Sequence, residues 1–197
     1  MPPTPSSPAA EPRGGRGAIV ALAAVIVVVV GALLFVSLRS HSSKSNAVPA
    51  GVTIAGRAEV GKPAPEFTAT DLDGKRVSLT SYRGRALIVS FGASWCHPCR
   101  QEYPLLVDAA AKHGSRLAIV SVMHNDLNGD ARAFVRTFHA RWPAVNDESN
   151  AISSAYGVVG VPQTFFITPS GVVQARVFGI TSHRALDPPL NRLLATP

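Results

Sequence analysis

The stretch ALIVSFGASWCHPCRQEYP, residues 86–104, decides how the chain is read. Ala86 to Phe91 is a short apolar run of the kind that forms a buried strand. It leads straight into Trp95-Cys96-His97-Pro98-Cys99. A helix is predicted from there through about Lys112, with Leu105, Leu106 and Ala109 on its apolar side and Gly114 past its end. Cys96 and Cys99 are the chain's two cysteines. A structural zinc site needs four ligands, usually two such pairs. His97 lies inside the pair and cannot easily add a third ligand, and His113 and His124 are not at ligand spacing. Arg100 follows Cys99, so the haem-attachment pattern is absent. Structural disulfides gain most from closing longer loops. What remains is a redox pair, with no metal and no cofactor beyond the Cys96–Cys99 disulfide itself.

The placement of the pair has a chemical consequence. Cys96 falls at a helix N-terminus, where unpaired amides and the macrodipole favour an anion. The thiolate is the nucleophile, so this position activates it. Cys99, one turn in, is more shielded and suits the resolving role. His97 either adds positive charge beside Cys96 or is a solvated surface residue. Pro98 is tolerated in the first turn and stiffens the helix start.

Working outward, the domain reads as alternating strands and helices. Lys62 to Phe67 starts extended, because Pro63 and Pro65 forbid a helix there. Asp71 to Lys75 carries a hairpin turn centred on Asp73-Gly74. Leu117 to Val122 reads as a second buried strand. Asp130 to Ala140 reads as a helix with Ala131, Phe134, Val135 and Phe138 on one face. Asn150 to Tyr156 is a short helix. Thr164 to Ile167 and Val172 to Phe178 are strands joined by the turn Thr168-Pro169-Ser170-Gly171. From Ser182 a last helix is expected to be interrupted by Pro188-Pro189. This order predicts an α/β domain, a central sheet covered on both faces with a closing hairpin.

The N-terminal part differs in composition. Residues 1–16 are mostly Pro, Ser, Ala, Gly and Arg and read as a disordered tail. Residues 17–38 carry no charge. As a helix they would span roughly 33 Å, about a bilayer's hydrocarbon core. This is read as one transmembrane helix. A cleaved signal peptide is the competing reading, but its apolar core would be shorter and Ser37-Leu38-Arg39-Ser40 fits a cleavage site poorly. Residues 39–56 read as a linker, and residues 57–197 as the folded domain. Arg13 and Arg16 precede the apolar segment and Arg39 and Lys44 follow it, so flanking charge does not orient it. The chemistry of the pair and the short N-terminal side favour a domain outside the cytoplasm, on a single-pass cell-membrane anchor.

The formal net charge of +7 is dispersed. No basic stripe interleaved with aromatics is present, so nucleic acid is not an expected partner.

Val89 to Pro104 resembles the active-site segment of the thioredoxin superfamily, most closely its extracytoplasmic TlpA, ResA and CcmG branch. Gly61 to Phe67 resembles that branch's domain opening. Gly157-Val158-Val159-Gly160-Val161-Pro162-Gln163-Thr164-Phe165-Phe166-Ile167 resembles its proline loop and following strand. The resemblance covers about residues 57–197 and implies a thioredoxin-like fold and thiol–disulfide exchange. It implies a cis bond at Pro162, with the Val161 backbone pairing with a bound substrate strand. It places Trp95 beside Cys96, and a tuning carboxylate near the cysteines at Glu102, which could otherwise be a solvated helix residue. Implied partners are protein thiols or disulfides and a membrane thiol transporter as electron donor.

Three departures stand out. Thioredoxins carry a buried Asp where this chain has Ser90. Cytochrome-maturation members often read Pro-Glu-Thr where this chain reads Pro162-Gln163-Thr164. The third is Pro188-Pro189. A peroxiredoxin is the nearest enzymatic rival, and its Pro-x-x-x-Thr-x-x-Cys signature is absent before Cys96. The reading is a reductant of protein disulfides, apocytochrome c among the candidates. An oxidant that introduces disulfides and a redox-inert peptide-binding module are the alternatives.

Overall fold

A computed structural model describes residues 53–196, together with Ile26, Val29 and Val30, which are helical and exposed. The predicted tail, the rest of the predicted span and the linker as far as residue 52 lie outside the described residues. Among those described, no helix is long and apolar enough to cross a membrane.

Strands β1 (Thr53–Ala55), β2 (Glu66–Thr70) and β3 (Arg76–Ser78) form an antiparallel sheet. The turn between β2 and β3 is the predicted one. Asp71 Oδ1 accepts from the amides of Asp73 at 2.9 Å and Lys75 at 2.8 Å, and Gly74 takes φ 82°. An Asx side chain and a glycine free of Cβ close this turn without steric conflict. β1 lies in the stretch read as linker, and pairing with β2 from Thr53↔Thr68 to Ala55↔Glu66 makes it a strand.

The larger sheet has the order β6-β5-β4-β7-β8, with β4 (Ala86–Gly92), β5 (Leu117–His124), β6 (Ala144–Asp147), β7 (Gln163–Ile167) and β8 (Val173–Phe178). β4, β5 and β6 are parallel, and β7 is antiparallel to β4 and β8. Every residue of β4 is buried. That explains its continuous apolar run, since a central strand packs both faces. Leu87, Val89 and Phe91 point to one face, against Val120, Val122, Phe165, Phe67 and Tyr156. Ala86 and Ile88 point to the other, against Leu106, Leu186 and Leu190.

The helices are α1 (His97–His113), α2 (Asn128–Thr137), α3 (Ala151–Ala155) and α4 (His183–Leu194). α1 ends as expected, with Lys112 and His113 in its last turn and Gly114 at φ 52°. α2 starts earlier and stops earlier than its apolar pattern suggests, and His139 at φ 53° turns the chain away.

One expectation is overturned: α4 runs unbroken through Pro188 and Pro189. Each proline removes a helix hydrogen bond. The helix holds because Leu186, Pro189, Leu190 and Leu193 are all buried, three of them against Ile88 and Phe166. Burying one such side chain stabilises by about 1.5–3 kcal/mol, against about 3 kcal/mol lost per interior proline. β6 carries no clear signal in the sequence, because Pro143 and the polar Asn146-Asp147 hide a strand of only four residues.

Candidate active site

The active end lies where β4 gives way to α1. Cys96 is the N-cap of α1, with extended backbone at φ −86° and ψ 107°. Its Sγ accepts a hydrogen bond from the Cys99 amide at 3.2 Å. The sulfur stands where a Ser or Asp oxygen stands in other helix starts, facing the positive end of the helix dipole. His97 and Pro98 fill the next two positions, both exposed. Cys96 and Cys99 form a disulfide, with Cα atoms 5.3 Å apart. Cys96 is 4% exposed and Cys99 1%. Both cysteines are buried in the disulfide form, and what sets Cys96 apart is its place at the helix tip.

Trp95 is a surface group, 61% exposed, with Nε1 donating to the Asn125 carbonyl at 3.2 Å. It adjoins Cys96 in the chain but is not packed into the core, so it forms part of the outer rim.

Glu102 is buried, only 1% exposed. It is not a solvated helix residue. Its Oε1 accepts from Ser90 Oγ on β4 at 3.0 Å and from Thr164 Oγ1 on β7. Ser90 and Thr164 are register partners across those strands. The carboxyl thereby joins α1, one turn past Cys99, to the two strands beneath it. Ser90, where thioredoxins carry an Asp, instead supports the carboxyl that the helix supplies. Burial pushes the Glu102 carboxyl up to about 7, opposed by the Thr164 and Ser90 hydroxyls and the Ile180 amide. Its Oε2 is buried and has no hydrogen-bond partner. A protonated carboxylic acid suits that oxygen, since unsatisfied buried charge is costly.

The loop before β7 brings in the second candidate group. The Val161–Pro162 peptide bond is cis. Val161 is half-buried against the cluster containing Cys96, Cys99, Tyr103 and Met123. Val159, two residues earlier, is 89% exposed. Pro162 is buried, and its carbonyl accepts from the Gly179 amide at 3.1 Å.

Two polar groups that the sequence did not single out hold this region. Arg176 on β8 donates from Nη2 to the Gly157 carbonyl at 3.1 Å. With its amide oxygen turned toward the guanidinium, buried Gln163 accepts from the same Nη2 at 2.8 Å. Arg176 thus holds both ends of the 157–162 loop, and Gln163 does so without adding a negative charge. The second group is Asp126, whose carboxylate binds the backbone two residues before Cys96. Neither is near the pair in sequence, and only strand pairing brings them there.

Comparison with known proteins agrees with this geometry. The model of the AhpC/TSA family matches residues 60–176. The chain is 25% identical over 170 residues to thiol-disulfide oxidoreductase ResA of Bacillus cereus, covering 86% of this chain and 92% of that protein. It is 35% identical over 123 residues to ResA of Geobacillus thermodenitrificans, covering 61% and 70%. Among solved structures, a thiol:disulfide interchange protein of the thioredoxin family from Chlorobium tepidum superposes with a TM-score of 0.61 and 28% identity. It covers 68% of this chain and 97% of that one. The fold is thioredoxin-like, and in such proteins the redox group is the cysteine pair itself.

Proposed function

The chain belongs to the AhpC/TSA family, and on that premise we propose that it is a membrane-anchored, extracytoplasmic thiol–disulfide oxidoreductase that reduces protein disulfides. The observation that carries the chemistry is Cys96 Sγ at the N-terminus of α1, accepting from the Cys99 amide. In the reduced protein the Cys96 thiolate attacks a substrate disulfide. One substrate sulfur leaves as a thiolate and a mixed disulfide forms. Cys99 then attacks Cys96 Sγ, releasing the second substrate thiol and closing the Cys96–Cys99 disulfide. Glu102 is suited to exchange a proton with Cys99, because a carboxyl near 7 gives and takes protons at neutral pH. Val161, half-buried beside the pair, supports the reading of its backbone as the edge along which a substrate strand lies.

One electrostatic observation supports the reducing direction. A strong oxidant needs a stabilised reduced form. Here the Asp126 carboxylate is bound to the Ser94 amide two residues before Cys96, and a negative charge there disfavours a thiolate on the pair. The reduction potential of the full chain in detergent, equilibrated with dithiothreitol buffers, is expected near thioredoxin's value of about −270 mV. A value near that of a strong oxidant, about −120 mV, would reverse the assignment to disulfide introduction. Apocytochrome c fits as one substrate, since its haem-binding thiols must stay reduced. A membrane thiol transporter fits as the donor that recharges the pair. The missing peroxiredoxin signature before Cys96 favours disulfide, not peroxide, as the species reduced.

The anchor rests on the uncharged segment 17–38. The full chain is expected to stay in the membrane fraction after carbonate washing with its N-terminus intact, and a reporter fused after Pro197 to be active only outside the cytoplasm. Recovery of a soluble protein beginning near residue 40–50 would replace the anchor with a signal peptide.

A further inference from the structure

Asp126 follows β5 and is 4% exposed. Its Oδ2 accepts from the Ser94 amide at 2.5 Å, and its Oδ1 accepts from Ser94 Oγ at 2.7 Å and from the Leu127 amide at 2.9 Å. The Asp126 carbonyl is itself held by Asn146 Nδ2 at 3.0 Å. On the far side of the same residue, the Ser94 carbonyl accepts from Arg100 Nη2 at 3.1 Å. Both polar groups of the Ser94 backbone are therefore taken by charged side chains, one from the β5–α2 loop and one from α1. The neighbouring Trp95 indole is bound to the same loop through the Asn125 carbonyl. The turn closes on Cys96, whose amide donates to Ala93 at 3.1 Å.

We propose that Asp126 is a positioning residue for the redox pair: through Ser94 it fixes the turn that sets Cys96 on the helix tip, and its charge opposes negative charge on the Cys96 sulfur. The proposal rests on the exchange chemistry above and accounts for a reducing pair. The helix dipole alone would stabilise the thiolate, and a buried carboxylate bound to the Ser94 amide, two residues before Cys96, counters it. The other charged or titratable groups around this turn are His97, Arg100, Glu102 and Tyr103 on α1 and Asp130 on α2. Asp130 lines a shallow cleft with Ser94 and Arg100. The 157–162 loop contributes none. Asp126 differs from these carboxyls in being bound directly to the segment that carries the nucleophile.

The test compares the full chain in detergent with its Asp126→Asn and Ser94→Ala variants. Asp126→Asn removes the charge and keeps an acceptor for the Ser94 amide. The Cys96 thiolate, followed by its ultraviolet absorbance, is expected to form at lower pH, with about tenfold more thiolate at a given pH below its midpoint. The reduction equilibrium should move about tenfold toward the dithiol, which for a two-electron couple is about 30 mV toward oxidising. Ser94→Ala keeps the charge and removes one hydrogen bond that disperses it, so the thiolate should form at higher pH. A purely structural role would lower unfolding stability in both variants and leave thiolate formation and potential unchanged, and that result overturns the proposal. If Asp126→Asn does not fold, Ser94→Ala decides alone: an upward shift supports the proposal and no shift overturns it. Thiolate formation is read without any substrate, so a failure here is distinct from a failure of the reductase assignment.

Discussion

Cys96→Ser is expected to bring disulfide reduction by the protein down to the uncatalysed rate, measured with insulin or a model peptide and dithiothreitol. The expectation follows from the helix start. The sulfur that accepts the Cys99 amide at 3.2 Å is the proposed nucleophile, and a serine hydroxyl does not ionise there to replace it. The substitution is otherwise mild. Serine is among the preferred N-cap residues, so α1 still begins at the same place. The disulfide it removes closes a loop of only two intervening residues, whose entropic contribution is small. Loss of turnover with retained stability therefore isolates the chemistry. Cys99→Ser should behave differently. Cys96 can still attack, but nothing resolves the product, so a mixed disulfide with substrate should accumulate and be visible on a non-reducing gel. Turnover that survives Cys96→Ser, or equal accumulation of mixed disulfide in both variants, would reverse the assignment of the two sulfurs.

Glu102→Gln is expected to change how stability and redox behaviour depend on pH. The carboxyl is raised from its ordinary value of 4.5 to about 7 by burial. Between those values the folded protein holds a proton that the unfolded chain has lost, so folding is linked to proton uptake. The stabilising contribution is fully present below pH 4.5 and is lost as pH rises toward 7. Each pH unit of that window is worth about 1.4 kcal/mol, so the loss across it is roughly 3 kcal/mol. Glutamine is neutral throughout. Its oxygen can still accept from Ser90 and Thr164, and its Nε2 takes the place of the unpartnered oxygen. Urea unfolding from pH 4.5 to 8 should show wild-type stability falling relative to the variant as pH rises. The slope of reduction potential against pH should bend near 7 in the wild type and not in Glu102→Gln. Parallel stability curves would mean that Glu102 titrates as an ordinary surface carboxylate, despite its burial.

These two residues show how unevenly the site was legible. Cys96 and Cys99 could be assigned as a redox pair because the relevant information is local. The two-residue spacing, the apolar run before it and the helix period after it all lie within about twenty residues. The Asp73-Gly74 turn and the end of α1 at Gly114 were readable for the same reason. Glu102 was visible only as a carboxylate one turn beyond Cys99. Whether it met water or protein depended on Ser90 and Thr164, which reach it through the pairing of β4 with β7. Asp126 carried no signal at all, since it lies 30 residues beyond Cys96 in a loop with no motif of its own.

The sequence by itself determined the alternation of strands and helices, the redox pair and which cysteine stands at the helix tip. Each follows from short-range rules: side-chain periodicity, turn chemistry and the unpaired amides of a helix start. Tertiary structure alone decided that Glu102 is buried, that Trp95 faces water and that Asp126 holds the turn before Cys96. It also decided that β6 forms and that α4 passes through two prolines. Those outcomes depend on which distant segments pack together. Burial sets the free energy of a carboxyl, and the apolar face that α4 buries against Ile88 and Phe166 outweighs the hydrogen bonds its prolines remove.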